Sequence, residues 1–390
     1  MKQEKTSSGA KTAERVAVPL LDLTRQYAQI RQEVLAAVEE ICDSQHYILG
    51  EAVSLFETQA ARFLGAKHGI GCASGTDAIF LALAAGGVGA GDEVITTPFS
   101  FFATASSILR IGARPVFADI DPETFNLSTA SVAQIIDRHD RARAILPVHL
   151  YGQCADMDGF TQLGEEHKLL IVEDAAQAFG ATWRGRRAGA LGDLGCFSFY
   201  PSKNLNAFGD AGAVTTSSDD FAARVRLLRN HGSRQRYYHE EVGWNSRLDS
   251  IQAAVLSVKL RYLESWNRQR QQRAATYAEL FRKAGLAGSS SPIHLPVTEP
   301  EASHIYHQYV VRAQRRDELR SFLTERGIGS EVFYPVPLHR QECFTYLGYS
   351  EGSLPAAEQA AREVLALPMF AELTEDEQHA VVEAIAEFYS

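Results

Sequence analysis

Short apolar segments alternate with helical patterns between residues 68 and 216, and this alternation is what most restricts the fold of the chain. The segments are rich in β-branched residues and are bounded by Gly, Pro or Asp, as is typical of buried strands. The predicted strands are 68–73, 92–97, 114–119, 144–148, 169–174, 196–199 and 213–216. Helical patterns separate most of them, which predicts an α/β fold with a largely parallel sheet covered on both faces. Ligands of such folds gather at the carboxyl ends of the strands.

The helical patterns and one segment with the composition of a linker predict two domains. Helices are predicted at 27–41, 53–63, 79–85, 221–229 and, as one long helix, 250–282. The segment 285–300 is rich in Gly, Ser and Pro and is the best boundary in the chain. It predicts a large domain over 19–284 and a small α+β domain over 285–390, with strands at 309–312 and 329–333 around a helix at 316–326.

The ends and the overall charge exclude several classes of protein. Residues 1–18 are polar and charged with no apolar core segment, so we predict a disordered tail rather than a signal peptide. The chain has 38 basic and 48 acidic residues, a formal charge of −10, which argues against nucleic acid as a partner. No apolar run reaches the length needed to span a bilayer, so we expect a cytoplasmic protein without a membrane partner.

The five cysteines carry no sign of a metal site or of a disulfide framework. They are odd in number and scattered along the 390 residues. Each is most simply a small apolar core residue, and we expect no bound metal.

One lysine stands where a buried loop is predicted. Lys203 follows the strand 196–199, after Pro201, and precedes the small-residue turn 209–212. Burial without a carboxylate partner lowers the pKa of a lysine toward the neutral amine that forms a Schiff base with a carbonyl. The alternative is a surface lysine whose tip reaches water.

Two further features suit a charged ligand. The turn Ser74–Gly75–Thr76–Asp77 begins a helix, and the free N–H groups at a helix N-terminus are a ready site for a phosphate. The alternative is a plain N-cap by Ser74 or Thr76. Asp174 follows four apolar residues into a buried region, where a carboxylate needs a cationic partner. Its alternative is also an N-cap, of a helix beginning at Ala175.

The three features together match the needs of one cofactor. Pyridoxal 5′-phosphate places its phosphate at a helix N-terminus, its pyridinium nitrogen against a carboxylate and its aldehyde on a lysine amine. The lysine, the acid and the helix start would therefore form one cofactor site.

Four motifs in order carry a resemblance to a known family: Ser-Gly-Thr-Asp-Ala, Glu-Asp-Ala-Ala-Gln-Ala, Ser-Phe-Tyr-Pro-Ser-Lys-Asn and Trp-Asn-Ser-Arg-Leu-Asp-Ser-Ile-Gln-Ala-Ala. From Pro19 onward the chain resembles the DegT/DnrJ/EryC1/StrS aminotransferases, which aminate keto sugars attached to nucleotides. The resemblance implies a fold-type I pyridoxal-phosphate-dependent transferase, with a mostly parallel seven-stranded sheet and a small C-terminal domain. It also implies a reaction in which an amino acid, usually glutamate, donates the amino group.

The resemblance assigns roles to individual positions. Lys203 becomes the covalent attachment point and the acid/base of the proton transfer, and Asp174 holds the pyridinium nitrogen. The remaining cofactor contacts that it implies are Gln177 near the ring hydroxyl, Phe101 stacked on the ring, Thr76, Asp77 and Ser198 at the phosphate with Gly75 in the same turn, and Asn245. One departure is Asn206, where close relatives are expected to carry glycine.

The segment 327–339 bears on the substrate. It looks most like members that aminate C3 of a dTDP- or UDP-linked 3-keto hexose, which makes Tyr334 and His339 candidate substrate contacts. The alternatives are a Pro-rich turn with a packed aromatic residue and, for the reaction, amination at C4. A dehydratase branch carries histidine in place of the lysine, so Lys203 argues against it. A regulatory protein that keeps the fold without catalysis is the alternative from a different class.

The loop 231–244 predicts a shared active site. It is polar and aromatic, and it is long for a simple connector. It ends at Asn245, which the resemblance places against the cofactor phosphate of the other subunit, in a homodimer with two shared sites. The alternatives are that Asn245 serves its own chain or caps the helix that begins near Asp249.

Overall fold

The computed structural model describes residues 17–288 and 291–390. The α-helices of these ranges are α1 Leu23–Ser44, α2 Glu51–Leu64, α3 Gly75–Ala85, α4 Ala103–Arg110, α5 Thr129–Ile135, α6 Met157–His167, α7 Asp219–Leu228, α8 Ser250–Leu260, α9 Leu263–Lys283, α10 Arg316–Glu325, α11 Pro355–Glu363 and α12 Glu375–Tyr389. The strands are β1 His68–Cys72, β2 Glu93–Thr96, β3 Arg114–Phe117, β4 Ala142–Leu146, β5 Leu170–Asp174, β6 Thr182–Trp183, β7 Arg186–Arg187, β8 Leu194–Ser198, β9 Gly212–Thr216, β10 Ile293–His294, β11 Ala302–Ser303, β12 Tyr309–Ala313 and β13 Val364–Leu367.

A seven-stranded sheet forms the centre of the large domain. Its strand order is β1-β9-β8-β5-β4-β2-β3. Only β9 runs against the others, because it pairs antiparallel with both β1 and β8. The prediction of a mostly parallel seven-stranded sheet is confirmed. The carboxyl ends of β1, β5 and β8 therefore lie along one edge of the sheet.

Helices cover both faces of this sheet. One core contains side chains of α3, α4 and α7, and the other contains side chains of α2, α6 and α8. Helix α3 is apolar around its circumference, with every residue from Ala78 to Leu83 buried. A helix of this composition is stable only when it is enclosed, and α3 packs directly on β8 and β9. Its N-terminus is thereby fixed at the carboxyl edge of the sheet.

The C-terminal region contains an antiparallel sheet, β10-β12-β13, with α10, α11 and α12 around it. Its core also takes in Tyr277 and Phe281 of α9 and Val18 near the start of the chain. The strand β11 pairs instead with β6 of the large domain. The boundary at 284/285 remains a prediction, and side chains from both sides of it share one core.

Three sequence-based expectations need correction. Val18 is fully buried and its backbone bonds to Gly327 and Gly329, so the predicted disordered tail does not include this residue, and residues 1–16 lie outside the described ranges. The predicted strand 329–333 pairs with β13 only at Glu331, because the chain turns away into a Pro-rich loop. The predicted helix 250–282 is two helices, since α8 closes with a tight turn in which the N–H of Tyr262 bonds to the carbonyl of Lys259.

Among the helices that the structure describes, none is long and apolar enough to cross a membrane.

Candidate active site

The carboxyl edge of the sheet brings together residues that are far apart in the sequence. Asp174 ends β5, Ser198 ends β8, and Gly75 begins α3 just beyond β1. Lys203 lies in the loop that follows β8, close enough to Asp174 for the two charges to interact. Four of the predicted site residues thus lie along one edge, as parallel-sheet topology requires.

The turn between β1 and α3 is both a capped helix start and an open donor site. The Ser74 hydroxyl accepts the N–H of Asp77 at 3.1 Å, so the N-cap expected as an alternative is present. No protein acceptor within the described ranges takes the N–H groups of Gly75 and Thr76. The first turn of α3 therefore keeps two unpaired donors at the positive end of the helix dipole.

Two glycines let the backbone approach this turn closely. A Cβ atom at Gly75 would lie 2.5 Å from the Cβ of Ser198, and a Cβ at Gly212 would lie 2.3 Å from the carbonyl oxygen of Ser74. Any side chain at either position would fill the space in which β8, β9 and α3 meet. The result is a small cradle lined by N–H groups and by the hydroxyl-bearing Ser198, which suits a phosphate.

Asp77 has a different environment from the one predicted. Its N–H is taken by Ser74, and its carboxylate lies 3.0 Å from the guanidinium of Arg110. A carboxylate repels a phosphate, and here it is held in an ion pair. The structure therefore does not support Asp77 as a phosphate donor, and it leaves Gly75, Thr76 and Ser198.

Asp174 is buried and hydrogen-bonded at both carboxylate oxygens. The Thr104 hydroxyl donates to Oδ2 at 2.8 Å, and the N–H of Ala176 donates to Oδ1 at 3.2 Å. Burial raises the pKa of Asp174, and the two hydrogen bonds and Lys203 act in the opposite direction. Turns rather than a helix follow Asp174, so the N-cap alternative is wrong for this residue.

Lys203 has the properties expected of a reactive amine. The side chain is partly buried, and burial lowers the pKa of Lys203 to about 8, although the Asp174 carboxylate works against this shift. Roughly a tenth of such an amine is neutral at pH 7, compared with less than about one part in a thousand for an ordinary lysine. The surface alternative does not describe this residue.

Gln177, Tyr334 and Phe101 form the other side of the site. Gln177 donates from Nε2 to the Tyr334 hydroxyl at 3.1 Å and accepts the N–H of Tyr151 at 2.6 Å. Phe101 is 59% exposed, and its ring lies 6.4 Å from the ring of Tyr334, measured between centroids. Tyr334 therefore lies among the predicted cofactor contacts, and a large aromatic face at Phe101 is open to a ligand.

His339 does not lie where the prediction placed it. Its side chain is fully buried, and Nε2 pairs with Oε1 of Glu358 at 3.1 Å inside the C-terminal region. Burial lowers the pKa of His339. The ring has no exposed surface for a sugar to touch, so the structure does not support it as a direct substrate contact.

Asn245 is exposed at the end of the loop 231–244. The next residue, Ser246, accepts the N–H of Ala73 at 3.3 Å, which places this segment beside the turn that leads to α3 in the same chain. The N-cap of α8 is Asp249, so Asn245 does not cap that helix and this alternative is wrong. Asn245 remains free to reach a ligand of its own chain or of a second chain.

Two groups that support Asp174 were not predicted from the sequence. Thr104 bonds to the carboxylate directly and is itself 2.9 Å from the hydroxyl of Ser100. His149 donates its backbone N–H to the carbonyl of Asp174, and its ring bonds to Glu173. The position of His149 just beyond β4 could have indicated it, whereas nothing in the sequence singles out Thr104 among many threonines.

The donor set fits pyridoxal 5′-phosphate. The cradle offers N–H and hydroxyl donors of the kind a phosphate needs, Asp174 offers a buried carboxylate, and Lys203 offers an amine with a lowered pKa. The exposed ring of Phe101 offers a stacking surface. These groups would hold the phosphate, the ring nitrogen, the aldehyde carbon and the ring face.

Comparison with known proteins agrees with this fit. The model of the DegT/DnrJ/EryC1/StrS aminotransferase family matches residues 28–386. A pleiotropic regulatory protein of Geobacillus stearothermophilus is 51% identical over 95% of this chain and 98% of its own length. The dTDP-3-amino-3,4,6-trideoxy-alpha-D-glucose transaminase of Streptomyces venezuelae is 46% identical over 96% of this chain and 97% of its own length.

A third relative and one solved structure extend the comparison. The UDP-N-acetyl-3-dehydro-alpha-D-glucosamine 3-aminotransferase of Acidithiobacillus ferrooxidans is 42% identical over 93% of this chain and 95% of its own length. The crystal structure of S. venezuelae DesV in complex with a ketimine intermediate superimposes with a TM-score of 0.91 at 45% identity, covering 95% of this chain and 98% of that one.

Proposed function

The chain belongs to the DegT/DnrJ/EryC1/StrS aminotransferase family, and from this premise we propose that it transfers the amino group of glutamate to C3 of a dTDP- or UDP-linked 3-keto hexose. The reaction depends on pyridoxal 5′-phosphate and supplies amino sugars for biosynthesis. The observation that carries the proposal is that Lys203 and Asp174 lie at the same sheet edge as the open N-terminus of α3.

Each residue has a task that follows from its environment. The bound cofactor supplies an electron sink for the electrons of the bond broken at the amino acid. Lys203 would hold the cofactor covalently at rest and, once released, move a proton at the reacting carbon, because its amine is partly neutral near pH 7. Asp174, aligned by Thr104, would keep a proton on the ring nitrogen. Gly75, Thr76 and Ser198 would bind the phosphate.

The C3 assignment is supported by the names of two relatives. One acts as a transaminase of a dTDP-3-amino sugar, and the other as a 3-aminotransferase of a UDP-linked sugar. The nucleotide differs between them, so the proposal covers both. Tyr334, hydrogen-bonded to Gln177 and close to Phe101, is the substrate contact that we retain. Amination at C4 is the alternative within the family.

A regulatory role is the competing function, and one relative at 51% identity is named as a pleiotropic regulatory protein. The colour and absorption of the purified protein distinguish the two functions. A catalytic protein should be yellow, and glutamate alone should shift its absorption as the amino group moves to the cofactor. A protein that binds the cofactor without any such shift would favour regulation.

The experiment that tests the proposal is a screen with glutamate as donor against dTDP- and UDP-linked 3-keto and 4-keto sugars. Product mass identifies an aminated sugar, and NMR of the product assigns the carbon. We expect amination at C3. Turnover restricted to 4-keto sugars would replace the C3 proposal by the C4 alternative, and turnover of none would overturn both.

The pKa of Lys203 predicts how fast apoprotein takes up its cofactor. Only the neutral amine attacks an aldehyde, so the rate of reconstitution should fall about tenfold per pH unit below pH 8 and level off above it. The measurement is the growth of the absorption of the covalently bound cofactor after mixing, from pH 6 to 10. A midpoint near 10.5 would show instead that the Lys203 amine is solvated like an ordinary lysine.

We also propose a homodimer in which each subunit completes the other's site. The loop 231–244 exposes Tyr237 and Tyr238 by 79% and 68%, and large exposed aromatic groups are typical of a surface covered by a partner. The loop ends at the exposed Asn245, which would then reach the cofactor phosphate of the second chain.

Subunit mixing tests this arrangement. Lys203→Ala and Asn245→Ala proteins, each impaired alone, should recover about a quarter of wild-type activity when dissociated and re-paired in equal amounts. Half of the resulting dimers are hybrids, and each hybrid has one intact site and one doubly damaged site. If Asn245 serves its own chain, every site of a hybrid keeps one damaged residue. Hybrids proven by mass spectrometry but without recovered activity would therefore contradict the shared site.

A further inference from the structure

Lys259 of α8 is a buried lysine whose burial has no obvious reason. It is 4% exposed, and no carboxylate in the described part of the chain lies within ion-pair distance of its amine. Its amine donates to Oδ1 of Asn206 and lies 4.6 Å from the centre of the Phe208 ring. Burial lowers the pKa of Lys259 to about 8. Burying an amine without a carboxylate partner costs more free energy than burying an apolar side chain of similar size. The presence of Lys259 at this position therefore suggests a role for its contact with Asn206.

Asn206 connects this lysine to the loop of Lys203. Its Nδ2 donates to the main-chain carbonyl of Lys203 at 2.9 Å and to Oε1 of Gln26 in α1 at 3.4 Å. Asn206 is itself buried. One side chain thus ties together α1, α8 and the main chain of the residue that would carry the cofactor.

The orientation of the Asn206 amide is fixed by what surrounds it. An ammonium only donates and a main-chain carbonyl only accepts, so the amide oxygen must face Lys259 and the amide nitrogen must face Lys203. The reversed amide would leave both contacts without a hydrogen bond. Lys259 therefore stabilises the orientation of Asn206 in which Nδ2 meets the Lys203 carbonyl.

The contact depends on the side chain at position 206. The motif Ser-Lys-Asn-Leu-Asn departs from the glycine expected after Lys-Asn-Leu, and glycine has no side chain with which to hold the Lys203 carbonyl. A second bond runs from the N–H of Phe208 to Gln252 of α8 at 2.7 Å, so the loop is attached to this helix twice. The Asn206 attachment is the one that reaches Lys203 itself.

We propose that Lys259 is a positioning residue that acts through Asn206 to hold the main chain of Lys203. The role of Lys203 rests on the function proposed above, whereas the mechanical coupling of the three residues does not. Removing Asn206 should loosen this segment because the bond to the Lys203 carbonyl is lost, and removing Lys259 should loosen it less, because that bond then stays but its amide is held less firmly. Removing both should add nothing to the loss of Asn206, because Lys259 acts through Asn206.

Hydrogen exchange of the apoprotein, followed by mass spectrometry, tests the coupling. In Asn206→Ala we expect amides within 203–207 to exchange at least about fivefold faster than in wild type, the effect of losing the buried hydrogen bond to the Lys203 carbonyl, and in Lys259→Met we expect a smaller increase. The double variant should match Asn206→Ala. Lys283→Met, which removes an exposed lysine of α9, is the matched control and should change nothing. Peptides covering β4 report any general loss of stability.

Asn206→Asp tests the contact with Lys259 separately from the contact with the Lys203 carbonyl. It also replaces Lys259→Met as the test if that variant fails to fold. The carboxylate can pair with Lys259 but cannot donate to the Lys203 carbonyl, so exchange at 203–207 should still rise. Unchanged exchange in this variant, unchanged exchange in a folded Lys259→Met protein, or additive effects in the double variant would each overturn the proposal. Because the apoprotein is measured without substrate, these outcomes are independent of whether the sugar is aminated at C3.

A second readout links the path to the amine. In the folded single variants the midpoint pH of cofactor reconstitution should move in the same direction, and further in Asn206→Ala than in Lys259→Met, since both loosen the hold on the same main-chain atom. If the midpoint were identical in all variants although the amides exchange faster, Lys259 and Asn206 would stiffen the loop without positioning the Lys203 amine. That result would contradict the proposal.

Discussion

Lys203→Ala protein is expected to fold and to lose transamination by a factor of about 10⁵ or more, the size typical of removing a covalent catalyst that also moves the proton. A methyl group can neither hold the cofactor nor exchange a proton with the substrate. Turnover of glutamate and keto sugar by product mass, beside a thermal unfolding curve, measures both parts of the expectation. The unfolding temperature should not fall, because removing a partly buried amine with a lowered pKa removes an unfavourable group.

The matched control is Lys283→Ala, because Lys283 is exposed and forms an ion pair with Glu279 of its own helix. It should keep full activity. A folded Lys203→Ala protein that still transaminates at more than about a hundredth of the wild-type rate would move the catalytic amine elsewhere. Lys259 would then be the first residue to test, since burial lowers its pKa to about 8 as well.

The sheet could be predicted from local patterns, but its strand order could not. Each strand is a short apolar run between turn residues, and such runs are readable one at a time. The antiparallel insertion of β9 between β1 and β8 depends on contacts between residues more than a hundred positions apart, as in Gly71 opposite Ala213. The break after α8 also escaped prediction, because the helical pattern continues on both sides of it.

The candidate site shows the same difference between what local sequence patterns predict and what depends on distant contacts. The position of Lys203 and Asp174 at the carboxyl edge of the sheet was predictable, because an ionisable residue at the end of an apolar run is unusual and has few explanations, whereas their catalytic roles stay a prediction. Thr104 was not predictable, since its importance lies in a hydrogen bond to a residue 70 positions away. His339 was misplaced for the converse reason: a histidine in a Pro-rich segment looks available, and only the packing reveals that Glu358 and Tyr349 enclose it.

Asp174→Asn protein is expected to keep its fold and some cofactor but to turn over about 10²- to 10³-fold more slowly. The amide is close to the carboxylate in shape: its oxygen can accept the N–H of Ala176, and its NH2 group can donate to the Thr104 hydroxyl, which then accepts instead of donating, so both local contacts survive. It carries no charge, however, and a neutral group cannot stabilise a proton on the ring nitrogen when electrons move into the ring. Single-turnover kinetics with glutamate measure this loss directly.

Two controls separate charge from geometry. Thr104→Val keeps the carboxylate and removes one hydrogen bond, so its loss should be nearer tenfold. Asp137→Asn makes the same chemical change at an exposed position and should have no effect. A Thr104→Val loss as large as that of Asp174→Asn would mean that alignment of the carboxylate, rather than its charge, limits the reaction.

The same Asp174→Asn substitution makes an independent prediction about Lys203. The Asp174 carboxylate favours the ammonium form of Lys203, against the burial that lowers its pKa. Without that charge the pKa of Lys203 should fall further, so the midpoint of cofactor reconstitution should move below pH 8. A midpoint that rises or stays fixed would mean that the two groups do not interact across the site.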